Sequence, residues 1–584
     1  MVLKTPDVAD QIKTPRFVAL CMLGLFFIFA AHYLQINRSG VGLELPFNAM
    51  GWIPLSMLLG AGLYIIGTTQ QVYFTPLTVK LACITCLLIA PYFFPYSDVD
   101  AAMARMFGLM AGLLVFICLQ QFRLGADQRI LLLLLVVASV WVELIIGWDR
   151  VLRSFGIGIS ATRPVWLGSP HGIFQQRNLF ASYIATGITL SGYLLGYCVK
   201  QWGQGFRSAY LVLLLLPLAG MHLLVQMYSR TGWLGLLIGC LLVAPFLWRN
   251  AGKKLAGFWL ISIFGGWLVS AAIPGNASGS DMSGKELVSV EGLRLIQFPQ
   301  VASLIMDKPF LGHGYGKFEK SYLEFSAKKY ADGETDQPAI ARLDHPHNEL
   351  LFWAAEGGIY ALTLLLAAAW FVWRRVAPLP LWHRLAVIGL FFPIVLHTQL
   401  EYPFYQSLLH WMVFILLIYW VDGLTGETKV RPVAYVLLPR IAAILIPVMA
   451  TVFMSTTLHA GYLFARYESG LDPNVESLAR IANPVVFSDR INWAVMSRLV
   501  LNAAVSDKPE QAQPYIDWAP HLLERKPRPN FYRFLILAYK VVGDEDNMRK
   551  WQAEARYLFP DESFETPDLE SGLAAPVPFD AVSR

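Results

Sequence analysis

Apolar runs long enough to cross a hydrocarbon layer as helices, roughly 17–25 residues each, recur along most of this chain. They lie near 17–36, 49–68, 75–95, 101–121, 129–147, 178–199, 208–228, 231–248, 256–274, 349–373, 385–400, 405–421 and 434–457. The fold class this predicts is an all-α polytopic membrane protein of about 12–13 transmembrane helices. Composition points the same way. Of the 584 residues, 56% are hydrophobic and 15% charged, against about a quarter charged in soluble domains. The missing charged surface is surface that faces lipid.

Basic residues mark every second connection. Lys4, Lys13 and Arg16 precede the first run; later come Arg123 and Arg129, Lys200 and Arg207, Arg249 with Lys253 and Lys254, Arg374 with Arg375 and Arg384, then Lys429, Arg431 and Arg440. By the positive-inside rule that face is cytoplasmic, the N-terminus lies inside, and an odd number of spans puts the C-terminus outside. The net charge of +5 therefore reports orientation. No Lys/Arg-rich run with interleaved aromatics exists, which argues against a nucleic-acid partner. All cysteines sit in apolar runs, so Cys83 and Cys86 read as packed thiols on a lipid-embedded helix. The stretch from Phe17 to Tyr33 reads as a first span and not as a cleaved signal.

Three outside segments carry the polar chemistry. The loop 149–177 holds His171, Gln175, Gln176 and Arg177. The long loop 275–348 opens on a polar Gly/Ser/Asp stretch, continues as an apparent amphipathic helix bearing Arg294, and ends in Asp344-His345-Pro346-His347-Asn348-Glu349. Pro346 imposes an extended entry and Asn348 is a candidate N-cap, with Glu349 and Glu356 continuing the polar face into the next span. The tail after about Ala460 regains soluble composition. Its segment from Phe531 to Pro560 has the form of a tetratricopeptide-type hairpin. Elsewhere His222, Gln226 and Arg230 align on one face of an unbroken helix. His397 and Glu401, one turn apart, lead into Tyr402 and Tyr405. Gly312-His-Gly-Tyr-Gly316 lacks a preceding strand and a P-loop lysine and reads as a turn; Glu143 reads as a paired structural carboxylate.

In this order, SRTGWLGLLIG from Ser229, EGLRLIQFPQVASLIMDKPFLGHGYGKF and HPHNELLFWAAEGG from His345 resemble the O-antigen ligase and polymerase superfamily of membrane glycosyltransferases. QINRSGVGLELPFNAMGW, GIFQQRNLFASY from Gly172 and HTQLEYPFYQSLLHW from His397, with the helical tail, are most similar to the bacterial protein O-oligosaccharyltransferases of the PglL type. The resemblance implies a multi-pass protein of the bacterial inner membrane, with its active site facing the periplasm. It implies an undecaprenyl-diphosphate-linked oligosaccharide as donor, a periplasmic or pilin protein as acceptor, and no metal cofactor. It also implies an essential His347, donor-binding Arg230 and Arg294, and roles for Gln176 and for Tyr402 or Tyr405. On this reading residues 1–16 are a cytoplasmic N-terminus and 17–457 the transmembrane domain with periplasmic loops 149–177 and 275–348. Residues 458–584 form a small helical periplasmic domain with a loose tail.

Residue chemistry agrees with that expectation. A diphosphate is a good leaving group, so catalysis needs its charge neutralised and the acceptor hydroxyl deprotonated. Arg230 and Arg294 can do the first through bidentate contacts, and His347 the second as general base. Aromatic faces at Trp166, Tyr402 and Tyr405 are candidates to hold sugar rings. Three readings stay open. Within the superfamily, the acceptor can be lipid A–core, or a growing glycan in a polymerase. A transporter or flippase for a lipid-linked anion would show internal repeats and polar broken helices at the midplane, which the chain lacks. A metalloenzyme would need His345, His347 and His397 drawn together from distant segments.

Overall fold

The computed structural model describes residues 13–565 except 39, 155–170, 204–206, 273–283 and 507, together with 575–577 and 579. Lys4, Trp166, the polar stretch opening the long loop and most of the acidic tail lie outside the described residues. The membrane part comprises α1 (Lys13–Ile28), α2 (Pro46–Thr69), α3 (Pro76–Ile89), α4 (Val99–Gln121), α5 (Ala126–Ser154), α6 (Arg177–Trp202), α7 (Arg207–Gln226) and α8 (Arg230–Ala272). The long loop contributes α9 (Gly284–Asp307) and α10 (Phe318–Ala331). Then follow α11 (Glu349–Val376), α12 (Leu381–Thr398), the one-turn α13 (Pro403–Gln406), α14 (Leu408–Thr425) and α15 (Leu437–Glu468).

Among the described residues, 11 helices are long and apolar enough to cross a membrane. The expected segments reappear, because α8 covers two of them and the shorter α7 supplies another. At 43 residues it would run about 64 Å, roughly twice the hydrocarbon thickness. Gly252 breaks it at φ 82° and ψ 168°, among Arg249, Lys253 and Lys254, and the second half folds back. Gln226, at the end of α7, donates to Ser270 at 3.2 Å, which returns the far end of α8 to the level where it began. The apolar part of α7, Tyr210–Gln226, is a shorter helix. At the centre stands α6, every residue of its apolar stretch buried.

Contacts between loops separate the two ends of the bundle. At one end β1 (Gln71–Phe74) pairs antiparallel with β2 (Lys429–Pro432). There too Arg16 donates to the Phe122 carbonyl at 2.9 Å, and Arg375 pairs with Asp422 at 3.0 Å. These are the basic connections, so the alternation seen in the sequence is an alternation in space. At the other end Asn48 donates to the Gln406 carbonyl at 3.0 Å and Gln35 to the Leu458 carbonyl at 3.0 Å.

The long loop is seated on that second end. Gly312, Gly314 and Gly316 all have left-handed φ of 68°, 100° and 80°, which favours glycine. Their backbones lie against Glu356, Tyr96 and Asp98, where any side chain would overlap main-chain atoms. The expected turn is therefore a docking turn. Glu356 accepts from the Gly316 and Phe318 amides at 2.9 and 3.2 Å and pairs with Arg105 of α4.

Beyond α15 the tail forms α16 (Ser488–Ser506), α17 (Gln513–Leu523), α18 (Pro529–Val542) and α19 (Glu545–Leu558). The last two form the expected helical hairpin. Its core, with Trp493, Tyr515, Phe531 and Leu535, takes in Leu323 and Ala327 from α10. Arg528 donates to both oxygens of Glu319, at 2.8 and 3.1 Å, with both residues buried. The basic residues of the tail are taken up in ion pairs. Arg525 and Lys526 pair with Asp489, and Arg533 pairs with Glu562. Cys83 and Cys86 are exposed on α3, facing outward where packed thiols were expected.

Candidate functional site

Three distant segments meet where α9, the entry to α11 and the turn after α12 converge. Asn348 caps α11, its Oδ1 accepting from the Leu351 amide at 3.0 Å, while its Nδ2 donates to the Gln399 carbonyl at 3.1 Å. The N-cap is thus also a stitch to the α12–α13 turn. That turn holds Glu401, whose amide still bonds to the His397 carbonyl at 2.9 Å. His347 Nδ1 lies 2.8 Å from one Glu401 oxygen. The other oxygen accepts from Arg294 at 3.1 Å, and the same guanidinium nitrogen donates to the Leu400 carbonyl at 3.0 Å. The side chains are 32% exposed for His347, 24% for Arg294 and 11% for Glu401. The imidazole and guanidinium therefore reach solvent from a carboxylate that does not.

With Nδ1 donating to a carboxylate, the Nε2 lone pair of a neutral His347 is left to accept a proton. This is the orienting arrangement of a general base with its acidic partner. Tyr402 flanks both histidines, its ring centroid 4.6 Å from that of His345 and 5.5 Å from that of His347. Burial drives its phenol upward, so it stays neutral. Tyr405 donates to Glu349 at 2.9 Å and packs on Phe352, so its ring supports the loop.

Arg230 opens α8 at the same end of the bundle, and helix register gives its level. Gly235 abuts Pro393 and Gly239 abuts the Gly389 carbonyl, so α8 and α12 run antiparallel. The same register sets Arg230 level with Thr398, one turn below Glu401. His171, Gln176 and Arg177 gather at the start of α6, tied to Arg230's neighbour by Ser229, which donates to Asn178 at 2.8 Å. The Gln176 side-chain oxygen is buried with no hydrogen-bond partner among the described residues. Glu143 anchors the preceding turn, accepting from the Ile173 amide at 2.9 Å and meeting His32 at 2.6 Å. It is the paired structural carboxylate expected.

Two expectations are corrected. The helix bearing His222 and Gln226 stops at Gln226, and Tyr228 takes a left-handed φ of 50°, so Arg230 starts a new helix and does not extend the first. His222 instead stacks on Trp148 at 4.4 Å. His397 is fully buried, facing Ser182 at 2.7 Å, and the same hydroxyl meets His410 at 3.0 Å. It underlies the site, one turn too deep to face the solvent with Glu401. Among the described residues no group of three or more His, Cys, Asp or Glu side chains is placed to hold a metal ion.

Sequence reasoning did not single out Arg105 or His32. Each is a lone ionisable residue in an apolar run, and such residues are costly unless paired. That was a usable signal, but their partners lie 251 and 111 residues away. Comparison with protein families gives three matches along the chain. A protein glycosylation ligase family matches residues 170–195, an O-antigen ligase family residues 209–366, and the C-terminal part of a virulence-factor membrane-bound polymerase family residues 385–571. A search of curated proteins returned no match.

Proposed function

We propose that this member of the O-antigen ligase and polymerase superfamily, similar to the PglL protein glycosylation ligases, transfers a preassembled glycan to protein hydroxyls. The donor is a polyprenyl-diphosphate-linked oligosaccharide; the acceptor is a Ser or Thr side chain of a periplasmic or pilin protein. The reading rests on one observation, the Glu401 carboxylate shared by His347 and Arg294. The acceptor oxygen attacks the anomeric carbon as its proton passes to His347 Nε2. The bond from that carbon to the diphosphate oxygen breaks, and its electrons leave with the diphosphate. Arg294 and Arg230 neutralise the charge that develops there. A single displacement inverts the anomeric configuration.

The positive-inside rule supports a non-cytoplasmic location for this end of the bundle, in our reading the periplasm of a bacterium, where a lipid-linked donor and secreted proteins meet. A protein acceptor is favoured by the glycosylation-ligase match at the start of α6. The folded tail packed over the long loop supports it too, since a lipid acceptor reaching the site within the bilayer needs no soluble platform. The polymerase-family match over residues 385–571 favours a second reading, in which the acceptor is another lipid-linked glycan. Intact-mass analysis of periplasmic and pilus proteins, with and without the gene, separates them. A glycan-sized mass lost from a Ser-containing peptide is the expected result. Unchanged protein masses with altered lipopolysaccharide or glycan chain length would overturn it.

A further inference from the structure

His345 lies two residues before the candidate base and is 5% exposed. Its ring is enclosed by Phe352 and Tyr402, with centroids at 4.5 and 4.6 Å. Its Nδ1 accepts the backbone N–H of His347 at 2.9 Å. That residue holds a left-handed φ of 50°, a conformation costing roughly 1–2 kcal/mol for a side chain with a Cβ. Without it the chain would leave Pro346 in another direction, and His347 would not face Glu401.

The contact has a familiar shape in other chemistry. In an Asx turn, the side-chain oxygen of Asn or Asp accepts the N–H two residues on, and Asn-Pro and Asp-Pro favour such turns. Here an imidazole nitrogen takes the place of that oxygen, with Pro346 in the middle position. The bond requires an unprotonated Nδ1, hence a proton on Nε2, which faces a Glu349 oxygen at 3.9 Å. Burial, opposed by Glu349, holds the imidazole below its usual range and so keeps Nδ1 available as an acceptor.

We infer that His345 is a positioning residue. Its Nδ1 closes a side-chain-capped His-Pro-His turn that aims His347 at Glu401, and it neither takes the substrate proton nor touches the donor. This rests on the reading of His347 as the base. Asparagine at 345 can supply the acceptor but no ring and no titration; phenylalanine keeps the ring and lacks the acceptor.

The test measures transfer by the full-length protein, in membranes and in detergent, for His345→Asn, His345→Phe and His347→Ala, each checked for accumulation. His345→Asn is expected to stay within about 5-fold of wild-type kcat. His345→Phe should lose about 10²-fold in kcat, a position-dependent share of what a placed base contributes, with the donor KM unchanged. Near-wild-type turnover in His345→Phe would overturn the inference and leave the His347 reading standing. Loss in His345→Asn as deep as in His347→Ala would also overturn it, by showing that the imidazole itself is needed. That arm decides the matter even if the Phe variant fails to accumulate. Activity retained in His347→Ala would overturn both readings together.

Discussion

The two oxygens of Glu401 serve different partners, so substitutions around it separate roles. His347→Ala removes the base and should abolish transfer while the protein still inserts and accumulates, as read by immunoblot beside a glycan-transfer assay. Glu401→Gln keeps the volume. If its oxygen stays with Arg294, its amide donates to His347 Nδ1 and forces the imidazole proton onto Nε2, the nitrogen that must accept. We expect kcat to fall by about 10²–10⁴-fold, with donor KM changed far less. Arg294→Lys should also lose most activity, because an ammonium cannot hold Glu401 and the Leu400 carbonyl while presenting a planar fork to a diphosphate. Wild-type rates in that variant would reduce Arg294 to a loop anchor. These roles could be suspected from the sequence residue by residue. The link from Glu401 to His347 and Arg294 could not, since the three lie more than 50 residues apart.

At the scale of elements, the site depends on how the long loop is clamped to α11. Gly358 interrupts that helix at φ 63°, and a Cβ there would overlap the Phe310 carbonyl. Gly358→Ala should cost about 1–3 kcal/mol in backbone conformation and about 1–3 kcal/mol in overpacking. Thermal unfolding of the purified protein should drop by several degrees and activity should fall with it; an unchanged transition would refute the clamp. The run GHGYG was legible as a turn from its glycines. What it docks on was not, because the atoms that demand glycine belong to Tyr96 and Asp98 in the turn before α4 and to Glu356 of α11.

The whole molecule is held at its outer end by the tail. Arg528 and Glu319 are both buried, and removing one partner of such a pair costs about 3–5 kcal/mol. Arg528→Ala should therefore loosen the tail from α10 and expose the link between them to limited proteolysis. Resistance equal to wild type would show that the apolar core alone holds the domain. Deleting residues after about 465 strips Leu323 and Ala327 of their packing. Loss of donor binding together with loss of acceptor transfer is the expected outcome; loss of protein transfer alone, with donor binding intact, would show that the tail serves the acceptor and does not hold the loop.

Much of this architecture is local, and local physics is legible in a chain. Apolar run length determined the helices, basic residues at alternate connections determined which ends share a face, and Pro346-His347-Asn348 determined the helix cap. Three features were decided only by the tertiary structure. They are the seat of the Gly312–Gly316 turn on other segments, the partners of Arg105 and His32, and the separation of His397 from Glu401 by depth. Each depends on which side chain meets which across the bundle. A buried charge or imidazole declares in sequence that it needs a partner; where that partner lies follows from packing between helices, which no local pattern records.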